Sequence, residues 1–131
     1  MTFPAIDPTE RCPCLSGDTY EGCCRRFHAG TVPAPTAEAL MRSRYSAFVT
    51  GDTGYLLRTW HPSARPARLE LEPERKWRRL DILSIQAGGP WDSTGVVAFE
   101  AHYREDGLAG VQGERSSFIR EEGRWLYVDG E

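Results

Sequence analysis

The sequence predicts an α+β domain with a small metal-binding knuckle ahead of it. Three observations carry this. All four cysteines lie within Cys12–Cys24. Apolar residues recur at helical spacing from Leu40 to Trp60 and then alternate, residue by residue, from Trp77 onward. The alternating segments are separated only by short turn-forming clusters. The chain has 131 residues with 40% hydrophobic and 27% charged side chains, so it can bury a core of its own without disulfide staples.

The elements follow in order. Residues 1–35 are expected to form the metal-binding motif and its linker, ending in the stiff stretch Thr31-Val32-Pro33-Ala34-Pro35. Residues 36–131 form the α+β domain. Thr36 is placed to cap a first helix, Glu38 puts negative charge in its first turn, and Leu40, Met41, Arg44, Tyr45 and Phe48 follow at helical spacing. Gly51 ends it. Asp52 or Thr53 restarts a shorter helix through Trp60, closed by Pro62. A helical turn is expected from Arg68 to about Glu74. Four strands come next: Trp77–Gln86, Gly95–Arg104, Gly110–Arg120 and Arg124–Val128. Their separators, Gly88-Gly89-Pro90, Asp106-Gly107 and Glu121-Glu122-Gly123, are short enough to force antiparallel pairing.

The formal net charge of −3 offers no broad basic surface and argues against nucleic acid or anionic membrane as a partner. The opening MTFPAIDPTER has Pro4, Pro8 and acidic residues where a secretion signal needs an apolar run, so a reducing cytoplasm is expected. There, clustered cysteines are more often metal ligands than disulfide partners. Cys12-Pro13-Cys14 forms one pair of thiols and Cys23-Cys24 the other, with Ser16-Gly17 as the intervening turn. Adjacent cysteines bridge each other only under strain, which favours one tetrahedral zinc ion over two cystines or free thiols. Four sulfur ligands leave no position for a reacting water, so the zinc is structural. Arg11, Arg25 and Arg26 are placed to offset its negative charge. Metal removal is expected to unravel residues 12–26 and leave the body folded.

The segment resembles the SEC-C motif, Cys-Pro-Cys-Gly-Ser-Gly-Lys-x-Tyr-x-x-Cys-Cys/His. Cys12, Cys14, Cys23 and Cys24 match its ligands, and Pro13, Ser16, Gly17 and Tyr20 its frame. Leu15 stands in place of Gly, which strains the turn if a positive φ is needed there. Asp18 stands in place of Lys, which weakens electrostatic docking of the kind the motif provides in the SecA translocase. Leu40-Met41-Arg42-Ser43-Arg44-Tyr45-Ser46-Ala47-Phe48 is similar to the signature of the YchJ-like family. So are Tyr55–Pro62, Glu114–Phe118 and Gly123–Gly130, with Ser117 in place of Arg. The resemblance implies an NTF2-like, cystatin-like fold, with helices in the concavity of a curved sheet. The chain departs from that pattern in lacking the second, C-terminal cysteine knuckle that relatives often carry. The resemblance brings no established activity.

Candidate residues in the body are Arg42, Arg44, Tyr45, Trp60, His61, Glu114 and Arg115. Arg42 and Arg44 face different sides of the first helix. Arg44 shares the apolar side, so it reads either as an ion pair with Glu114 that pins helix to sheet or as an anion-binding side chain in a pocket. His61 sits at a helix end and would need a carboxylate and a pocket to act as a base. Glu100 and His102 lie opposite Val97, Phe99 and Ala101 on their strand and read as solvated, with a Glu100/His102/Glu114 acid–base cluster as the sharper alternative. With no catalytic constellation evident, the favoured reading is a non-catalytic adaptor whose knuckle docks a protein partner. An NTF2-like hydrolase or isomerase and a ribosome- or RNA-associated protein are the alternatives. The sequence leaves the oligomeric state open.

Overall fold

The structure is a computed structural model and describes residues 3–131. A short helix, α1 (Cys24–His28), follows the cysteine corner. Two more helices, α2 (Ala37–Thr50) and α3 (Thr53–Arg58), precede four strands: β1 (Lys76–Ala87), β2 (Thr94–Glu105), β3 (Leu108–Glu121) and β4 (Arg124–Gly130). The strands form one antiparallel meander in the order β1-β2-β3-β4, the curved NTF2-like sheet.

Local chemistry sets these limits. The Thr36 side chain accepts a hydrogen bond from the Ala39 amide, and Gly51 closes α2 at φ 76°, a conformation that costs glycine nothing. Asp52 caps α3 in the same way, accepting from the Tyr55 amide. Asp106-Gly107 and Glu122-Gly123 all have positive φ and make the two tight turns that hold β2, β3 and β4 in register.

Two expectations are corrected. The second helix stops at Arg58 rather than reaching Trp60. Trp60 instead pairs with Tyr127 of β4 in a single parallel bridge. Residues 68–72 have no helix. There Leu69 and Leu71 are half-buried while Arg68, Glu70 and Glu72 are exposed, a period of two that suits an extended chain lying on an apolar surface.

The inner sheet face carries Leu80, Val97, Phe99, Ala101, Phe118 and Trp125, all buried. Leu40, Met41, Tyr45 and Ala47 of α2 lie against it within the same core. The first turn of α2 comes very close to the β1–β2 turn. The Ala37 amide donates to the Gly88 carbonyl at 2.9 Å. A Cβ placed on Gly95 would lie 2.6 Å from the Gly88 Cα and 3.1 Å from the Ala37 Cβ.

The core does not stop at residue 36. All four cysteines and Phe27 belong to the same buried cluster as α2 and the sheet. The expectation of a body whose core is independent of the knuckle is therefore not met.

Candidate metal centre

A two-residue ladder, Arg11 against Thr19, opens the knuckle as a miniature hairpin. Within it the Leu15 amide donates to the Cys12 carbonyl at 3.1 Å and the Cys12 amide to the Asp18 carbonyl at 2.9 Å. Leu15 has φ 65° and Gly17 φ 98°. The left-handed turn that glycine suits is thus made here by a leucine, 53% exposed, at a steric cost on the order of 1 kcal/mol. Cys23 and Cys24 enter from the other side at the start of α1.

The four sulfur atoms all lie within 4.8 Å of one another. Cys14 and Cys23 are 3.6 Å apart, and Cys23 and Cys24 3.9 Å. Four thiolates about 2.3 Å from one ion would have edges of about 3.8 Å, whereas a disulfide would need about 2.05 Å. The cysteines are free and buried. Their donor set and spacing fit a single tetrahedral ion, and soft thiolates select zinc or a similar metal. Without one, the sulfurs share protons. The Cys14 thiol next to Cys12 holds Cys12 well below the usual thiol range, while that interaction pushes Cys14 up to about 12. Hydrogen bonding to Cys12 and Cys14, with burial, likewise raises Cys24. Metal binding must expel those protons.

The surroundings of the sulfurs come from both parts of the chain. Ser16 Oγ lies 3.1 Å from Cys23 Sγ. From α2, the fully buried Ser46 puts its hydroxyl 3.4 Å from Cys24 Sγ and 3.6 Å from Cys12 Sγ. Arg42 Nη1 donates to the Cys14 carbonyl at 2.6 Å while its Nε donates to Glu38 at 2.8 Å. Arg26 Nε donates to the Cys23 carbonyl at 3.2 Å. At the end of α1, His28 Nε2 donates to the Ser43 carbonyl at 2.8 Å, which fixes the tautomer. His28 Nδ1 then accepts from the Tyr20 hydroxyl at 2.7 Å. Burial lowers the His28 pKa and raises that of Tyr20 to about 12. Sequence reasoning missed Ser46 and His28. A serine inside an apolar helix face is a weak signal, readable only once the facing sulfurs are known.

The body residues do not converge on one site. Arg42 belongs to the knuckle, as above. Arg44 is drawn inside, 4% exposed, but it is not paired with Glu114. Its Nη1 donates to the Leu56 carbonyl at 2.8 Å and Thr59 Oγ1 at 2.7 Å, and its guanidinium lies over the Trp60 and Tyr127 rings. Backbone and π-faces substitute for the carboxylate, and burial brings its pKa down to about 10. Glu114 accepts instead from Ser116 and, at 3.3 Å, from Tyr127. Because β3 pairs Glu114 with Phe99, its side chain shares the inner face, so a Glu100/His102/Glu114 cluster does not form. Tyr45 packs edge-on against Trp77. Trp60 Nε1 is buried without a hydrogen-bond partner among the described residues. His61 meets Glu121 and Ser63, each at 2.7 Å, on the surface side. Arg115 donates to Gln86 at 2.8 Å.

Of these residues, Tyr45 lines one cavity and Arg42 another. One of about 210 Å³ is lined by Met41, Tyr45, Phe48, Leu69, Leu71 and Trp77 among others. A groove of about 340 Å³ runs between the knuckle and the first turn of α2, past Ser16, Cys23, Arg26, Glu38 and Arg42. Neither includes Arg44, His61 or Glu114.

Fold and knuckle together define a SEC-C-type cysteine motif joined to an NTF2-like domain. The sequence pattern described as "YchJ, middle NTF2-like domain" matches residues 36–130, and the chain belongs to the YchJ family. A UPF0225 protein of Streptomyces coelicolor is 56% identical over 124 residues, covering 95% of this chain and 97% of that one. Another from Chromobacterium violaceum is 47% identical over 122 residues, covering 91% and 90%. The solution structure of a SEC-C motif containing protein from Rhodopseudomonas palustris superposes with a TM-score of 0.80 at 35% identity. It covers 92% of this chain and 96% of that one. A crystal structure of a SEC-C motif containing protein from Psychrobacter arcticus gives 0.75 at 25% identity, covering 90% and 80%.

Proposed function

We propose that this protein is a zinc-binding, non-catalytic adaptor of the cytoplasm, whose knuckle docks a protein partner. The observation that carries the reading is the groove of about 340 Å³ between the cysteine corner and α2. One wall is the cysteine corner, which a bound ion would hold rigid, and the other is the packed helix α2. Arg26, Glu38 and Arg42 place both signs of charge along it, which suits a peptide surface more than a phosphate backbone. The four free, buried thiols support a reducing compartment, because zinc binds thiolates and not cystines. No helix among the described residues is long and apolar enough to cross a membrane.

Affinity capture of partners tests it, with variants that leave the sulfurs untouched. Leu15→Asp and Arg26→Glu alter exposed positions at the rim of the knuckle. A partner held by the wild type and lost by both variants, with zinc content and near-UV circular dichroism unchanged, is the expected result. The same partners captured by all three proteins would overturn the docking role.

A further inference from the structure

We propose that the solvent-facing side of the sheet carries a second divalent-cation site, made by Asp81 of β1 with Glu100 and His102 of β2. Asp81 and Glu100 are directly opposite in register, and the next pair along the same face is Arg79 with His102. Like charges in opposed positions across an antiparallel pair repel, so this pairing calls for a cation beside it. The two carboxylates and the imidazole each offer a donor atom within 4.8 Å of the others, and all three residues are half-buried. His102 Nε2 lies 3.0 Å from Asp81 Oδ2, about the edge of an octahedron with bonds of about 2.1 Å.

Arg79 now supplies the positive charge. It donates to Asp81 at 3.1 Å, and its Nη2 lies 3.2 Å from His102 Nε2. His102 Nε2 can therefore hydrogen-bond only one of its two neighbours in a given protonation state. With a proton it faces a guanidinium donor, and without one it faces a carboxylate acceptor. A metal ion bonded to the bare nitrogen and to the carboxylate satisfies both, once the half-exposed Arg79 swings aside. Room exists, because Gly113 is the residue paired with Glu100 on β3 and contributes no side chain. Val111, paired with His102, is neutral.

Two carboxylate oxygens, one imidazole nitrogen and positions open to water suit Mn²⁺, Fe²⁺, Ni²⁺ or Zn²⁺. Mn²⁺ is the diagnostic probe because it shuns thiolates, so the cysteine centre, kept loaded with zinc, does not compete for it. Titration of the full chain with Mn²⁺, following the free ion by electron paramagnetic resonance, should show one equivalent bound. Glu100→Gln and His102→Ala should each weaken binding at least tenfold. Arg79→Ala should tighten it at least threefold by removing the resident cation. Absence of binding to the wild type would overturn the proposal, including the case in which only Arg79→Ala binds, since the native cluster is then an ion pair. Binding that persists unchanged in His102→Ala would overturn it as well.

Discussion

Ser46 shows how one side chain alters what the metal centre is. Its hydroxyl reaches two of the four sulfurs from a helix outside the motif, and groups one step behind the ligands tune affinity by about 10–100-fold. Ser46→Ala should therefore release zinc to a chromogenic chelator about tenfold more readily than the wild type, with helix content retained. Leu15 is the opposite case, a residue whose conformation works against it. Its φ of 65° and its exposure mean that Leu15→Gly should remove strain while losing little packing. Thermal unfolding is expected to rise by about one to two degrees, reflecting about 1 kcal/mol less the entropy glycine adds to the unfolded chain. His28 links the knuckle to pH. Burial depresses its pKa in the fold, so the unfolded chain takes up a proton first. This contribution is intact above the ordinary imidazole value of about 6.5 and is lost as pH falls towards the lower folded value. Denaturant midpoints measured between pH 7 and 5.5 should fall more steeply for the wild type than for His28→Asn.

At the scale of elements, α2 is the piece on which the rest is mounted. Its first turn meets the β1–β2 turn where Gly88 and Gly95 leave no space for a methyl group. Gly95→Ala should force the two apart and destabilise by about 1–3 kcal/mol, read as a lowered urea midpoint with an unchanged slope. Much of this element was legible in the sequence. Thr36, Asp52 and Gly51 carry cap chemistry that acts within a few residues, and the Asp-Gly and Glu-Gly turns fix the hairpins locally. The cysteine spacing was equally plain, since two thiol pairs at short separation can reach a single ion. What was not legible depends on partners distant in sequence. Arg44 looked in need of a carboxylate, but two aromatic rings and a carbonyl from α3 serve instead. Residues 68–74 looked helical because a short stretch has little periodicity to read, and the surface beneath it decided the matter. Arg42, grouped with a pocket, turned out to hold the Cys14 carbonyl, a contact across 28 residues.

For the whole molecule, the knuckle and the domain share one core, so loss of metal should not stay local. Calorimetry before and after exhaustive chelation under reducing conditions should show a single transition moved down by on the order of 10 °C. That corresponds to the roughly 3 kcal/mol that a tightly held ligand contributes at saturation. Two separate transitions, with the second unmoved, would instead describe a detachable motif.

The sheet also has two sides where pairing runs out, and it treats them differently. Beside β4, the backbone of residues 59–61 runs alongside and takes up the Tyr127 amide and carbonyl. Along β1 no further strand pairs among the described residues, but the ladder skips at Arg78 and again at Leu83. Those interruptions spoil the straight row of donors and acceptors that a stray chain would need as a template. The sheet thereby avoids being gripped, without discrimination, along its flank.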